Sequence, residues 1–275
     1  MSLTPKIIYG TAWKMEQTAS LVVAAVLQGF RAIDTACQPK HYREDLVGQA
    51  LQELQEKHNI KREDLFIQTK FTPLSGQDTT KPLPYSPTSP LSTQITTSFT
   101  RTLSNLQTTY VDSYLLHSPL RTPEQTLEAW GVLARLQDEG KARLIGVSNT
   151  YDVRVLARLH KERKVQVVQN RWYEGNGWDK AVVGFCREHG IMYQSFWTLT
   201  GSPSLLSHPA LLAIAQSANI TPAQAVYRIS QLEGIVPLSG TKDETHMRED
   251  VEVQDVQLDE DGLDWAFDEV REFIR

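Results

Sequence analysis

Asp34, Tyr42, Lys70 and His117 lie in four separate segments, and each reads as the close of a buried β-strand. A titratable side chain at the end of an apolar strand is costly unless that end opens into a site. Lys70 closes Leu65-Phe66-Ile67-Gln68-Thr69, where a lone ammonium is strongly disfavoured, and Asp34 is its natural partner. A paired, partly buried lysine beside a tyrosine stabilises phenolate and makes the phenol a stronger acid near neutral pH. His117 closes Ser113-Tyr114-Leu115-Leu116 and is placed to donate a hydrogen bond to a substrate oxygen. Taken singly these residues have bland readings, a satisfied rim histidine and a structural ion pair. Together they point to one shared acid–base pocket.

Such a pocket needs elements that deliver strand ends to one place. Apolar runs at Ile7-Ile8-Tyr9, Arg31 to Asp34, Leu65 to Lys70 and Val111 to His117 read as strands. Ala142 to Val147, Val165 to Asn170, Ile191 to Phe196 and Ile235 to Leu238 bring the total to eight. Helical periodicity lies between them at Glu16–Gln28, Arg43–His58, Thr122–Asp138, Tyr151–Lys161, Lys180–His189, Ala210–Ser217 and Thr221–Leu232. Strands separated by helical crossovers pair in parallel. Eight units predict an α/β chain forming a closed (β/α)8 TIM barrel, a single domain over residues 1–275, with an open doubly wound sheet as the alternative. The Pro/Ser/Thr-rich segment Thr72 to Pro90 follows Lys70, which sets it on the active face. Leu199 to Pro209 is also irregular, Asp250 to Asp264 reads as a solvated acidic stretch, and Leu263 to Ile274 as an amphipathic closing helix.

Composition narrows the classes. The chain has 275 residues with net charge −5, which argues against a nucleic-acid footprint. Its apolar runs are far shorter than a membrane span and no secretory signal is readable, so a cytoplasmic protein is expected. Cys37 and Cys186 make no metal-type spacing and read as free thiols, and the seven histidines are scattered, so no metal is expected. Asn219-Ile220-Thr221 matches a glycosylation acceptor by coincidence.

Nearly the whole chain resembles the aldo-keto reductase family. The similar segments are Gly29-Phe30-Arg31-Ala32-Ile33-Asp34-Thr35-Ala36, Phe66 to Lys70, Val111 to His117 and, most specifically, Gly140 to Asn149. Gln169 to Tyr173 and Gln194 to Thr200 resemble a fungal branch. The resemblance implies NAD(P)H-dependent reduction of an aldehyde or ketone. Tyr42 would protonate the carbonyl oxygen, Lys70 would lower its pKa, Asp34 would hold Lys70, and His117 would orient the carbonyl. Ser148, Asn149 and Gln169 match the ligands of the nicotinamide carboxamide, and Phe196 stands where a tyrosine usually stacks on the ring. Thr11, Trp13 and Lys14 match a segment lining cofactor and substrate. Gly240, Thr241, Lys242, His246, Glu249 and Asp250 match the adenosine end, and Trp13, Trp172 and Trp197 suggest an aromatic pocket wall beside His117.

Departures leave choices open. The family spaces its aspartate and tyrosine five residues apart, whereas Asp34 and Tyr42 are eight apart, so His41 competes with Tyr42 for the acid's place. Gln169 and Asn170 compete for the carboxamide. Ser239-Gly240-Thr241-Lys242 replaces the usual grip on a 2′-phosphate, so NADPH is expected and NADH stays possible. A minimal amino-terminal hairpin and short carboxyl tail imply an open pocket for a small carbonyl substrate, and a monomer is the default. A short-chain dehydrogenase is disfavoured, since no glycine-rich turn follows the first strand and no Tyr precedes a Lys by four residues. The rival is a non-redox relative, an isomerase, dehydratase or cofactor-sensing subunit.

Overall fold

The computed structural model describes residues 4–274. Its eight strands are β1 (Ile8–Gly10), β2 (Ala32–Asp34), β3 (Phe66–Phe71), β4 (Val111–Leu116), β5 (Ala142–Ser148), β6 (Val167–Arg171), β7 (Met192–Phe196) and β8 (Ile235–Ser239). They pair in chain order, all parallel, and β8 returns to β1 to close a barrel, so the open sheet is excluded. The outer layer comprises α1 (Thr18–Leu27), α2 (Glu44–His58), α3 (Leu91–Leu106), α4 (Pro123–Asp138), α5 (Val153–Glu162), α6 (Lys180–His189), α7 (Pro203–Leu206), α8 (Pro209–Ser217), α9 (Pro222–Leu232), α10 (Glu244–Glu252) and α11 (Asp264–Ile274).

Three of these helices go beyond the sequence reading. The α3 sequence is rich in Ser and Thr, which favour caps and turns over helix interiors. Its helix is held by burial of Ile95, Phe99 and Leu106 against the barrel. The short α7 lies inside the irregular 199–209 segment. In α10, Asp243 caps the first turn by accepting from the Thr245 and His246 amides, at 2.8 and 3.1 Å. Tyr42 does not close a strand; it lies in the connection between β2 and α2. The Asn219-Ile220-Thr221 tripeptide serves as a helix entry, with Thr221 capping α9 and Pro222 at its first position.

Alternation along each strand sorts side chains by face. Outward residues such as Tyr9, Ile33, Ile67, Tyr114, Val168 and Tyr193 join the large core beneath the helices. Inward residues at the amino ends, Ile8, Ala32 and Phe66 with Leu144, Val236 and Leu238, form a small apolar plug. One step further along, the inward positions turn polar at Asp34, Gln68, Lys70, Gln169 and Gln194, all buried. The barrel interior thus passes from hydrocarbon to amide and charge toward its carboxyl end. Gly146 allows β5 and β6 to close, since a Cβ there would collide with the Val167 carbonyl and the Leu115 side chain. At the opposite end, Tyr110 is sandwiched between Arg62 and Arg143, 4.2 and 4.3 Å from its ring centre, and both arginines pair with Asp112, at 2.8 and 2.7 Å.

Candidate active site

Asp34 is the hub of the polar layer. Lys70 Nζ donates to both its oxygens, at 2.7 and 2.6 Å, and to the Thr35 carbonyl at 3.0 Å. Gln68 and Gln169 add amide donors to Oδ1 at 2.8 and 3.0 Å. Both also donate to Gln194 Oε1, and Gln194 returns a bond to Gln68. Thr11 donates its amide and hydroxyl to the Asp34 carbonyl, at 3.0 and 2.9 Å. A buried ion pair persists only when its remaining hydrogen-bonding capacity is met, and these amides meet it. Burial lowers the pKa of Lys70, and the Asp34 carboxylate opposes that shift.

Tyr42 faces this pair. Lys70 Nζ lies 5.5 Å from the centre of its ring, and the His117 ring meets it edge-on at 5.9 Å. His41 turns away and stacks on Trp13 with 3.7 Å between ring centres. The expected lowering of the phenol's pKa by Lys70 is not found in this geometry. Burial raises it, and Asp34 adds to the rise, because the carboxylate offsets the ammonium's field. The phenol is therefore a fully protonated acid at rest. Burial, followed by the charges of Lys70 and His41, holds His117 well below the usual histidine range, so its imidazole is neutral. Its Nδ1 lies 2.7 Å from Thr72 Oγ1, and its backbone amide donates to the Phe71 carbonyl.

Two contributors were not singled out from sequence. Thr72 opens the irregular segment, and its carbonyl accepts from Tyr85 Oη at 2.8 Å and Gln77 Nε2 at 3.2 Å. Glu44, at the start of α2, is buried and accepts from Thr69 Oγ1 at 2.5 Å, Thr102 Oγ1 at 3.0 Å and Asn105 Nδ2 at 3.0 Å. Burial raises its pKa and these bonds pull against the rise. Its partners come from β3 and α3, far along the chain, so no local pattern in the sequence marks this burial.

Beside the hub, Ser148 Oγ donates to the Gln169 carbonyl at 2.8 Å. Asn149 takes a left-handed backbone (φ 51°) that sends Nδ2 to the His117 carbonyl at 2.9 Å. Gln169 faces inward, whereas Asn170 faces outward. Asn170 accepts from the Thr150 backbone amide, donates to the Thr150 carbonyl, and donates to Asp179 at 2.8 Å, which also accepts from Tyr193. Burial raises Asp179 to about 6 against those two bonds. Because the donors of Gln169 are spent on Asp34 and Gln194, its carbonyl oxygen is the group left for an amide donor. A hydroxyl, an asparagine and that side-chain carbonyl match a primary carboxamide, and Phe196, in register with Arg171, which bonds Asn149, adds an aromatic face nearby. The set fits a nicotinamide.

The remaining sequence-derived residues scatter. Lys14 Nζ donates to the carbonyls of Gly240 and Thr241, and Tyr9 Oη donates to the Thr241 carbonyl at 2.9 Å. Burial and neighbouring Lys242 lower Lys14 to about 8. Lys242 reaches Gln17 Oε1 at 3.2 Å, while His246 is exposed and Glu249 half-buried. Asp250, matched to the adenosine end, is buried and accepts from Ser239 Oγ at 2.6 Å, so its carboxylate is engaged within the fold. Thr11 is fully buried under Asp34 and braces the hub without lining a cleft. Trp172 is 2% exposed and packs against Trp178, lining a separate pocket with Lys180, Val183 and Arg187 and not the Tyr42–His117 site. Trp13 and Trp197, 64% and 51% exposed, stand at the rim.

Known proteins similar to this chain share its fold. The chain is 30% identical over 269 residues to an uncharacterised oxidoreductase, YtbE, of Bacillus subtilis, covering 96% of this chain and 88% of the relative. It is 29% identical over 245 residues to a glyoxal reductase of the same organism, covering 88% and 80% of the two chains. Further relatives come from fission yeast, thale cress and zebrafish, so no fungal branch is singled out. Among solved structures, an aldo/keto reductase from Brucella melitensis superposes with a TM-score of 0.79 at 26% identity, covering 98% of this chain and 95% of that one. A Bombyx mori aldo-keto reductase in complex with NADP gives 0.80 at 22% identity over 98% and 89% of the two chains, a likeness of fold. The model of the aldo/keto reductase family matches residues 6–269, and the chain belongs to that family.

Proposed function

We propose that this protein reduces an aldehyde or ketone to an alcohol with NADPH, Tyr42 supplying the proton. The observation that carries the reading is the convergence of Tyr42, His117 and the Lys70–Asp34 pair at the carboxyl end of the barrel. When bound, the nicotinamide supplies a hydride to the carbonyl carbon. The carbonyl oxygen takes the Tyr42 proton, and the Lys70 ammonium offsets the phenolate charge left behind. Asp34 and its amide partners keep Lys70 aimed at the ring. His117, neutral and braced at Nδ1 by Thr72, presents Nε2–H to the carbonyl oxygen. Ser148, Asn149 and Gln169 would hold the carboxamide and Phe196 the ring.

NADPH is favoured over NADH because Lys14, Lys242 and His246 gather at the 240–246 turn, and because a structural relative was solved with NADP. Names among the relatives, a glyoxal reductase and a methylglyoxal reductase, favour small reactive aldehydes as substrates. Buried free thiols at Cys37 and Cys186 suit a reducing cytoplasm.

The test is consumption of NADPH against a panel including glyoxal, methylglyoxal and bulky ketones, with one alcohol formed per NADPH. Tight NADPH binding without turnover on any carbonyl would instead favour a non-redox relative. Tyr42→Phe should cut kcat by about 10²–10⁴-fold while NADPH affinity stays within about twofold. A fully active variant would move the acid role to His41.

A further inference from the structure

We infer that Arg171 makes the site select the redox state of its cofactor, holding the neutral reduced nicotinamide and disfavouring the cationic oxidised one. The inference rests on the nicotinamide reading of the cleft and extends it to a residue with no assigned role.

Arg171 is the last residue of β6, two beyond Gln169, so the strand's alternation points it inward one layer above that amide. It pairs in register with Phe196 at the end of β7. Its guanidinium lies over Phe196, with Cζ 5.2 Å from the ring centre, and over Trp197 at 4.5 Å. Nη1 donates to Asn149 Oδ1 at 3.2 Å. Asn149 and Phe196 are the residues proposed to take the carboxamide and the ring, so Arg171 borders the nicotinamide through both.

Its charge is not compensated. Lys70, a cation at the same end of the barrel, sits on a carboxylate. Among the described residues Arg171 has no carboxylate within ion-pair distance, its bonding partner is a neutral amide, and its Nε is buried without an acceptor. A guanidinium stays charged at every working pH. Dihydronicotinamide is neutral, whereas the oxidised pyridinium carries one positive charge. Two like charges in a partly desolvated pocket repel far more strongly than in water. The reduced cofactor escapes that repulsion, so product cofactor leaves readily and turnover is biased toward alcohol formation.

The experiment measures Kd for NADPH, NADP+ and 2′,5′-ADP by quenching of tryptophan fluorescence in the parent, Arg171→Met and Arg171→Lys. The fragment 2′,5′-ADP lacks the nicotinamide and reports the rest of the cofactor site. With both forms normalised to that fragment, Arg171→Met should lower the ratio Kd(NADP+)/Kd(NADPH) about tenfold, mainly through tighter NADP+. Arg171→Lys, which keeps the charge, should leave the ratio within about threefold of the parent. An unchanged ratio in Arg171→Met would overturn the inference. So would equal weakening of both forms, which would make Arg171 only a stacking group. If the parent binds 2′,5′-ADP but neither nicotinamide form more tightly, the nicotinamide reading itself fails, and this inference with it.

Discussion

His117 can orient a carbonyl only if its proton sits on Nε2, and a neutral imidazole places that proton by what its other nitrogen meets. Thr72 Oγ1, 2.7 Å from Nδ1, is the group it meets, and a hydroxyl donating there leaves the ring proton on Nε2. Tyr85 and Gln77 fix the Thr72 backbone, so the Pro-rich segment braces the histidine from behind. Thr72→Val should lower kcat/KM about tenfold with the cofactor's Kd unchanged, and Thr72→Ser should restore most of it. Equal losses in the two variants would assign Thr72 to packing alone. This pairing was not legible in the sequence, because Thr72 and His117 meet only through the β3–β4 register. Asp34, Lys70 and His117 were legible, since each is a titratable residue at the end of an apolar run. Tyr42 against His41 was not. Three extra residues between Asp34 and Tyr42 leave the spacing ambiguous, and the choice is made by which ring faces Lys70 and which stacks on Trp13.

Elements were read where periodicity was strong. The eight strands carry it, and so do α2 and α4 with their buried leucines and valines. α3 escaped because its Ser/Thr content masks a four-residue spacing of Leu91, Ile95 and Phe99 that does mark a buried face. The inner and outer faces of β6 also matter separately. Gln169 faces the barrel interior, while Asn170 ties Thr150 and Asp179 on the outer side. Asp179 rises from the ordinary 3.8 to about 6, so the native state holds its proton across a range where the unfolded chain releases it. Native stability therefore falls as pH rises through that window. Asp179→Asn, which cannot ionise, should gain a few degrees of Tm relative to the parent between about pH 4 and pH 7. Parallel curves of Tm against pH would show that the carboxyl ionises without cost.

Over the whole molecule, stability and chemistry occupy opposite ends of the barrel. The amino end is closed by the apolar plug and by the Arg62–Asp112–Arg143 cluster, in which Asp112 Oδ2 also accepts from the Ile67 amide at 2.9 Å. Asp112→Ala removes the shared acceptor and leaves two cations facing each other across Tyr110. It should cost about 3 kcal/mol in denaturant unfolding while kcat of the folded enzyme changes less than about twofold. A comparable loss of kcat would mean that the two ends are coupled.

The amides of Gln68, Gln169 and Gln194 do for the Lys70–Asp34 pair what a hydration shell does for ions in water. This shell, however, is covalently tethered and cannot reorient. When a substrate displaces water from the cleft, the ion pair below loses none of its own solvation. Its hydrogen-bonded geometry is then held alike in the empty and the loaded enzyme, so the proton transfer proposed at Tyr42 would not wait for these amides to rearrange.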